Sequence, residues 1–240
     1  MIYSAKSDVG KIRPNNEDAY LIKNENGLYV FLVCDGMGGH KKGEVASQMA
    51  RDFVEEFDFS FEGKTDDEIL QILRDLVNKA NIKIYLKGKN DDEMRGMGTT
   101  FSLAILYNKK IYYAHIGDSR IYVLKDKLLM ISKDHTLIGE LIEKGVILNS
   151  KDRADLKNYI TQALGSSSIV EPAIGSIDAT DVKKIFICSD GVTTYLDDET
   201  IEKFVQRDEC PQKIVDAIVD EALKLGGRDN ITCLIAEIGD

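Results

Sequence analysis

Apolar and polar positions recur along this chain in two different periods, and the change of period divides it into segments. "EDAYLI" and "GLYVFLVC" are short, rich in aromatic and β-branched residues, and bounded by turn-forming residues, so the N-terminal third predicts strands. Between 43 and 57 the period lengthens. Val45, Met49, Phe53 and Phe57 fall every fourth residue and predict a helix with one apolar face. A second helix opens at Thr65, where Glu68 completes a capping-box pattern. Its stripe is Ile69, Ile72, Leu73, Leu76, Val77, Ala80 and Ile84, and the two helices are expected to pack as an antiparallel pair.

From 98 to 131 the strand period returns in "TTFSLAILY", "KIYYAHIGD", "SRIYVLKD" and "KLLMIS". With "YNKK" and "GDS" as turns, these predict an antiparallel meander. The stretch from 132 to about 180 shows one short helix, "TLIGELIEKG", and little other regularity. A strand "KKIFICS", a helix near 198 to 206, a helix from Pro211 to Leu225 and a final strand "ITCLIAEI" follow. Helices come in pairs rather than alternating with strands. The expected class is therefore α+β with a largely antiparallel core, as one domain over residues 1 to 240.

Composition narrows the function. A formal net charge of −10 disfavours nucleic acid or an anionic membrane as the main partner, since both need a basic face. An anionic substrate would then need local arginines or bound metal. The opening "MIYSAKSDVGKIR" lacks the apolar core of a signal peptide, and no run is long enough to span a bilayer, so a cytoplasmic protein is expected. Cys34, Cys188, Cys210 and Cys233 form no CxxC pair, and three lie in strand-like runs, where they read as small buried hydrophobes.

The candidate chemistry lies in aspartates at strand ends. Asp35 and Asp190 each follow an apolar strand and precede a glycine; Asp118 follows "IYYAHIG", Asp229 precedes the last strand, and Asp18 beside Glu17 begins the second. Two carboxylates 4 Å apart repel by about 4 kcal/mol at an effective dielectric near 20, so a convergent set calls for protons or cations. Oxygen-only ligands favour Mg²⁺ or Mn²⁺ over zinc. Two such ions bridged by one water would generate a hydroxide aimed at phosphorus. Taken singly, an Asp-Gly at a strand end is most often just a turn.

Read in order, "SDVGKIRPNNEDAY", "FLVCDGMGGHKKGEVAS", "GMGTTFSLAIL", "YYAHIGDSRIYVL", "SKDHTL", "NYITQALG", "IFICSDGVT" and "GGRDNITCLI" resemble the metal-dependent type-2C serine/threonine protein phosphatases in their compact bacterial form. The resemblance implies a β-sandwich flanked on both faces by pairs of helices, with a two-metal centre at one end. By motif, Asp35 would bridge the ions with the Gly36 carbonyl on one of them, and Asp190 and Asp229 would hold the other. Glu17 and Asp18 would orient metal-bound water, and Arg13 would bind the substrate phosphate. Asp118, with Asp190, would hold a weaker third ion, and 132 to 160 would form a mobile flap.

The resemblance further implies phosphoserine and phosphothreonine proteins as substrates, a serine/threonine kinase as opposing partner, and a monomer. Departures stand at Met37, where animal members carry a histidine proposed as general acid, at "TTYL" after "SDGV", and at Lys157, where relatives often have arginine. His40, His115 and His135 lack metal-ligand spacing and read as structural or surface residues. "DGMGGHKKGE" and "GMGTT" lack the GK[ST] ending of a nucleotide-phosphate loop. Two competing functions stay open: a phosphoprotein-binding module without turnover, and a phosphatase of small phosphoesters.

Overall fold

The computed structural model describes residues 1–25, 27–38, 42–147, 156 and 159–239. Strands β1 (Ile2–Asp8), β2 (Asp18–Glu25) and β3 (Leu28–Met37) lead into helices α1 (Lys42–Glu55) and α2 (Asp66–Asn90). Strands β4 (Gly98–Thr99), β5 (Phe101–Tyr107), β6 (Lys110–Ile116), β7 (Arg120–Leu124) and β8 (Leu128–Met130) follow, then helix α3 (Leu137–Glu143). The remainder comprises β9 (Ala173–Asp178), β10 (Lys184–Cys188), three helices, α4 (Asp190–Thr193), α5 (Asp198–Val205) and α6 (Pro211–Leu225), and β11 (Ile231–Glu237).

The strands form two antiparallel sheets, ordered β1-β11-β10-β7-β8 and β2-β3-β5-β6-β9, with β4 added to the end of β3. The result is the α+β sandwich with helices outside both sheets. Three apolar layers hold it. Val30, Leu32 and Cys34 face α1 and α2, while Phe31 and Val33 face the other sheet, where they meet Ile121, Ile187 and Leu234. Phe186, Cys188 and Cys233 pack against α5 and α6. A strand buried on both faces has no polar side to show, which is why "VFLVC" reads as an unbroken apolar run. Each such fully buried side chain contributes about 1.5–3 kcal/mol.

Helix α2 carries the expected capping box, with Thr65 and Glu68 bonding reciprocally, and α6 runs from Pro211 to Leu225 as read. The buried face of α1 differs from the expected one. Gly43, Ala46, Ser47, Ala50 and Val54 are fully buried, whereas Val45, Met49, Phe53 and Phe57 pack only partly against the core. Small residues face the sheet because the helix start lies directly on β3: a Cβ on Gly43 would fall 2.6 Å from the Gly36 carbonyl carbon. Large side chains there would lift the helix away.

The segment 98 to 131 is not one meander. The turn at 117 to 119 carries the chain from β6 in one sheet to β7 in the other. Strands β1 and β9 escape the sequence pattern because both lie on sheet edges and are only partly buried, so the apolar alternation is weak. Neither Asp-Gly is a simple turn. Asp35 and Gly36 continue β3, Asp35 opposite Asp18 of β2 and Gly36 opposite Thr99 of β4, and Asp190 is the first residue of α4 behind the N-cap Ser189.

Candidate functional site

One end of the sandwich gathers the carboxylates. Asp18 at the start of β2 is the cross-strand partner of Asp35 near the end of β3. The Asp35 backbone is fixed on both sides: its N–H donates to Thr100 Oγ1 at 2.8 Å, and its carbonyl accepts from Thr100 N at 2.8 Å and Thr99 Oγ1 at 3.0 Å. Ser189 Oγ donates to Asp18 Oδ2 at 2.9 Å, and Thr232 N donates back to Ser189 Oγ at 3.0 Å. Asp18 is thus tied to the strand end that carries Asp190.

Asn230 ties the two chain ends together. Its Oδ1 accepts from Glu17 N at 2.8 Å, and its Nδ2 donates to the carbonyls of Val9 at 2.9 Å and Asn15 at 3.0 Å. This buried amide seats the loop carrying Arg13 and Glu17 beside Asp229. Gly191 permits the same closure: any Cβ there would lie 1.9 Å from the Asn230 carbonyl oxygen.

The resulting cleft, of about 480 Å³, is lined by Arg13, Glu17, Asp35, Gly36, Asp190 and Asp229, with Met37, Tyr195 and Arg228 on its rim. Asp18 lies behind Asp35, and Asp118 opens on an adjoining recess of about 170 Å³ that it shares with Asp190 and Asp134. A larger recess, about 720 Å³, is lined by residues such as Tyr29, Lys109 and Lys183 and holds none of these carboxylates. Donor chemistry rather than volume marks the site.

Repulsion within the set is visible in its titration. Burial, reinforced by Asp190 and Asp229, pushes Asp18 up to about 7. Asp118 is likewise pushed up to about 7 by burial and by Asp190 and Asp134. Asp35 is raised well above the usual range by burial and four neighbouring aspartates, and Glu17 is raised chiefly by burial. Arg13 offsets part of this charge by donating to Asp229 Oδ2 at 2.8 Å. Glu17 Oε1, Asp18 Oδ1 and Asp118 Oδ1 are buried with no hydrogen-bond partner among the described residues. Such buried acceptors suit a hard cation. No three His, Cys, Asp or Glu side chains among the described residues already stand close enough to hold one, so the carboxylates lining the cleft would have to draw together around it.

Several positioning residues were not singled out from the sequence: Asn230, Ser189, Thr100 and Gly43. The pair Arg120–Asp134 belongs with them; Asp134 accepts from Arg120 Nε and Nη2 at 2.8–3.1 Å, fixing the start of β7 to the segment before α3. Asn230 stands beside Asp229 in "RDN", and an amide next to a candidate ligand is a signal that could have marked it. His115 is buried and stacked on His135 at 5.3 Å, and His135 Nδ1 accepts from Gly117 N, so both histidines brace the Asp118 turn. Of the expected flap, α3 and the Thr136–Ile160 bridge are described. Lys157, His40, Lys41 and most of 148 to 158 lie outside the described residues.

The Protein phosphatase 2C family matches residues 13–213 of this chain. The serine/threonine phosphatase stp of Listeria monocytogenes serovar 1/2a is 33% identical over 238 residues, covering 97% of this chain and 94% of that protein. The serine/threonine protein phosphatase PstP of Mycobacterium tuberculosis is 31% identical over 239 residues, which span 99% of this chain and 45% of PstP. Among solved structures, Stp1 from Staphylococcus aureus superimposes with a TM-score of 0.91 at 29% identity, covering 100% of this chain and 96% of that one. The catalytic domain of PstP in complex with two manganese ions gives 0.84 at 32% identity, covering 99% and 98%.

Proposed function

Because this chain belongs to the Protein phosphatase 2C family, with bacterial serine/threonine phosphatases as its relatives, we propose that it is a metal-dependent protein phosphatase acting on phosphoserine and phosphothreonine. The single observation that carries this reading is the convergence of Asp35, Asp190 and Asp229 on one cleft beside Arg13. Mn²⁺ is the first ion to consider, on the precedent of the PstP complex, with Mg²⁺ as an alternative. Bound ions would supply Lewis acidity and acidify water, a chemistry that would require no cysteine, serine or aspartate nucleophile.

Each residue then has a task set by its placement. Asp35, with the Gly36 carbonyl, and Asp190 with Asp229 would hold a pair of ions, and Asp118 with Asp190 a weaker third. Glu17 and Asp18 present buried oxygens that would accept hydrogen bonds from water at that centre. Arg13 offers the planar fork suited to a phosphoryl group and would exchange Asp229 for substrate. Met37 lines the cleft where a histidine would serve as general acid, so the leaving oxygen takes its proton from another source.

We read residues 1 to 240 as one catalytic domain, monomeric and cytoplasmic, working against a serine/threonine kinase. No helix among the described residues is long and apolar enough to cross a membrane. The test is hydrolysis of a phosphothreonine peptide with Mn²⁺, with chelator, and by Asp190→Asn. Metal-dependent turnover that collapses in the variant supports the reading. A folded protein that binds the peptide without turnover in any metal would instead be a regulatory module.

A further inference from the structure

The cleft holds two cations among its described lining residues, Arg13 and Arg228, and they differ in what they can do. Arg13 is engaged by Asp229 at 2.8 Å. The Arg228 side chain is exposed and makes no ion pair among the described residues, yet its backbone is anchored firmly. Its N–H donates to the Tyr195 hydroxyl at 3.0 Å, and the Gly227 carbonyl just before it accepts from Lys11 N at 2.6 Å. Tyr195 packs so closely under the turn that a Cβ on Gly226 would lie 2.7 Å from its ring and hydroxyl. An exposed, unpaired cationic side chain therefore stands on a turn anchored by its backbone, next to Asp229.

The surroundings give that cation a use. The chain carries a formal net charge of −10, and the other charged groups lining the cleft are Glu17, Asp35, Asp190 and Asp229. Bound cations and Arg13 would serve the phosphoryl group itself, which leaves Arg228 as the other cation among the described residues lining the cleft. Building on the phosphatase reading, we propose that Arg228 is a specificity residue that recognises a second anionic group, a carboxylate or phosphate carried next to the phosphorylated residue. A guanidinium suits either anion, since its fork matches both geometries.

The experiment compares kcat/KM of wild type, Arg228→Ala and Arg228→Lys, with Mn²⁺, on three phosphothreonine peptides. One has alanine flanks, one aspartate flanks, and one a second phosphoserine. The expected wild-type preference for a charged flank over the neutral one is about fivefold, as befits a solvent-facing charge pair. In Arg228→Ala the ratio falls towards one, and Arg228→Lys keeps most of it. Because the readout is a ratio, a general loss of fold or metal does not imitate it. A preference limited to the doubly phosphorylated peptide assigns phosphate as the second group; one shared by both charged peptides assigns negative charge in general. A wild type without preference, or a ratio that survives Arg228→Ala, overturns the proposal. Wild-type protein that hydrolyses none of the peptides removes the phosphatase reading and this proposal with it.

Discussion

Asp18 and Asp35 stand directly opposite each other on adjacent antiparallel strands, two carboxylates paired across one ladder at the mouth of the sandwich. Like charges in that relationship destabilise a sheet, and burial adds to the effect. In the metal-free protein Asp18 and Asp118 are raised from an ordinary 3.8 to about 7. Between those values the native chain keeps protons that the unfolded chain has released, so stability falls as pH rises from about 4 to 7. The slope is at most about 1.4 kcal/mol per pH unit for each group. Chelator-treated protein should therefore melt at higher temperature at pH 5 than at pH 8, and Mn²⁺ should restore stability mainly at the higher pH. A metal-free melting temperature that rises with pH across this window would contradict the assignment.

Asp18→Asn removes one of the opposed charges while leaving an oxygen to accept from Ser189. The variant without metal should be more stable than wild type at pH 8 and indistinguishable from it near pH 4. Its turnover of a phosphothreonine peptide should drop at least tenfold. Paired melting curves and initial rates check both halves.

Arg13 and Asp229 form a pair that is partly open to solvent, with an expected worth of only about 0–1 kcal/mol. Arg13→Ala should lower kcat/KM for the peptide about tenfold or more through loss of phosphoryl binding. It should also tighten Mn²⁺ binding a few-fold in titration calorimetry, because Asp229 Oδ2 no longer shares its charge with a guanidinium. Unchanged ion affinity would show that Arg13 does not compete for that oxygen.

Gly43→Ala sets two effects against each other. Helix propensity alone favours alanine by about 0.5–1 kcal/mol. The new Cβ would meet the Gly36 carbonyl carbon at 2.6 Å and Met37 N at 2.7 Å, and overpacking against backbone costs about 1–3 kcal/mol. Steric conflict wins, so the urea midpoint should fall, with activity falling too because Gly36 moves.

Asn230→Ala strips partners from Glu17 N and from the carbonyls of Val9 and Asn15. Unpaired buried groups cost about 1–3 kcal/mol each. A melting-temperature loss of roughly ten degrees is expected, larger than for removal of any single exposed ion pair. Addition of Mn²⁺ should recover little of it, since the amide seats the loop rather than the ion.

Much of this was legible in the sequence because burial and period coincide. Helix α6 and the strands β3 and β10 are long or deeply buried, so their apolar patterns are strong. Edge strands β1 and β9 were not, since half-exposed residues blur the alternation. The face of α1 was misjudged because periodicity ranks residues by hydrophobicity, whereas close approach at Gly43 selects for smallness. The candidate aspartates could be picked out by their positions at the ends of apolar runs, and the sandwich brings them to one end. Asn230, Ser189 and Thr100 act through hydrogen bonds between segments far apart in sequence, and no local pattern announces such partners.

Strand β11 lies between β1 and β10, so it occupies the interior of its sheet although it follows every other strand among the described residues. During synthesis β1 has no ladder to join until Ile231–Glu237 has left the ribosome, and Arg13 and Glu17 have no Asn230 to seat them. The sheet β2-β3-β5-β6-β9 can assemble beforehand, but the cleft cannot close. Catalytic competence therefore arrives in one late, long-range step, slow in the way that distant pairings are slow. A nascent chain bearing most of the aspartates remains inert towards the phosphoproteins around it until that final strand is inserted.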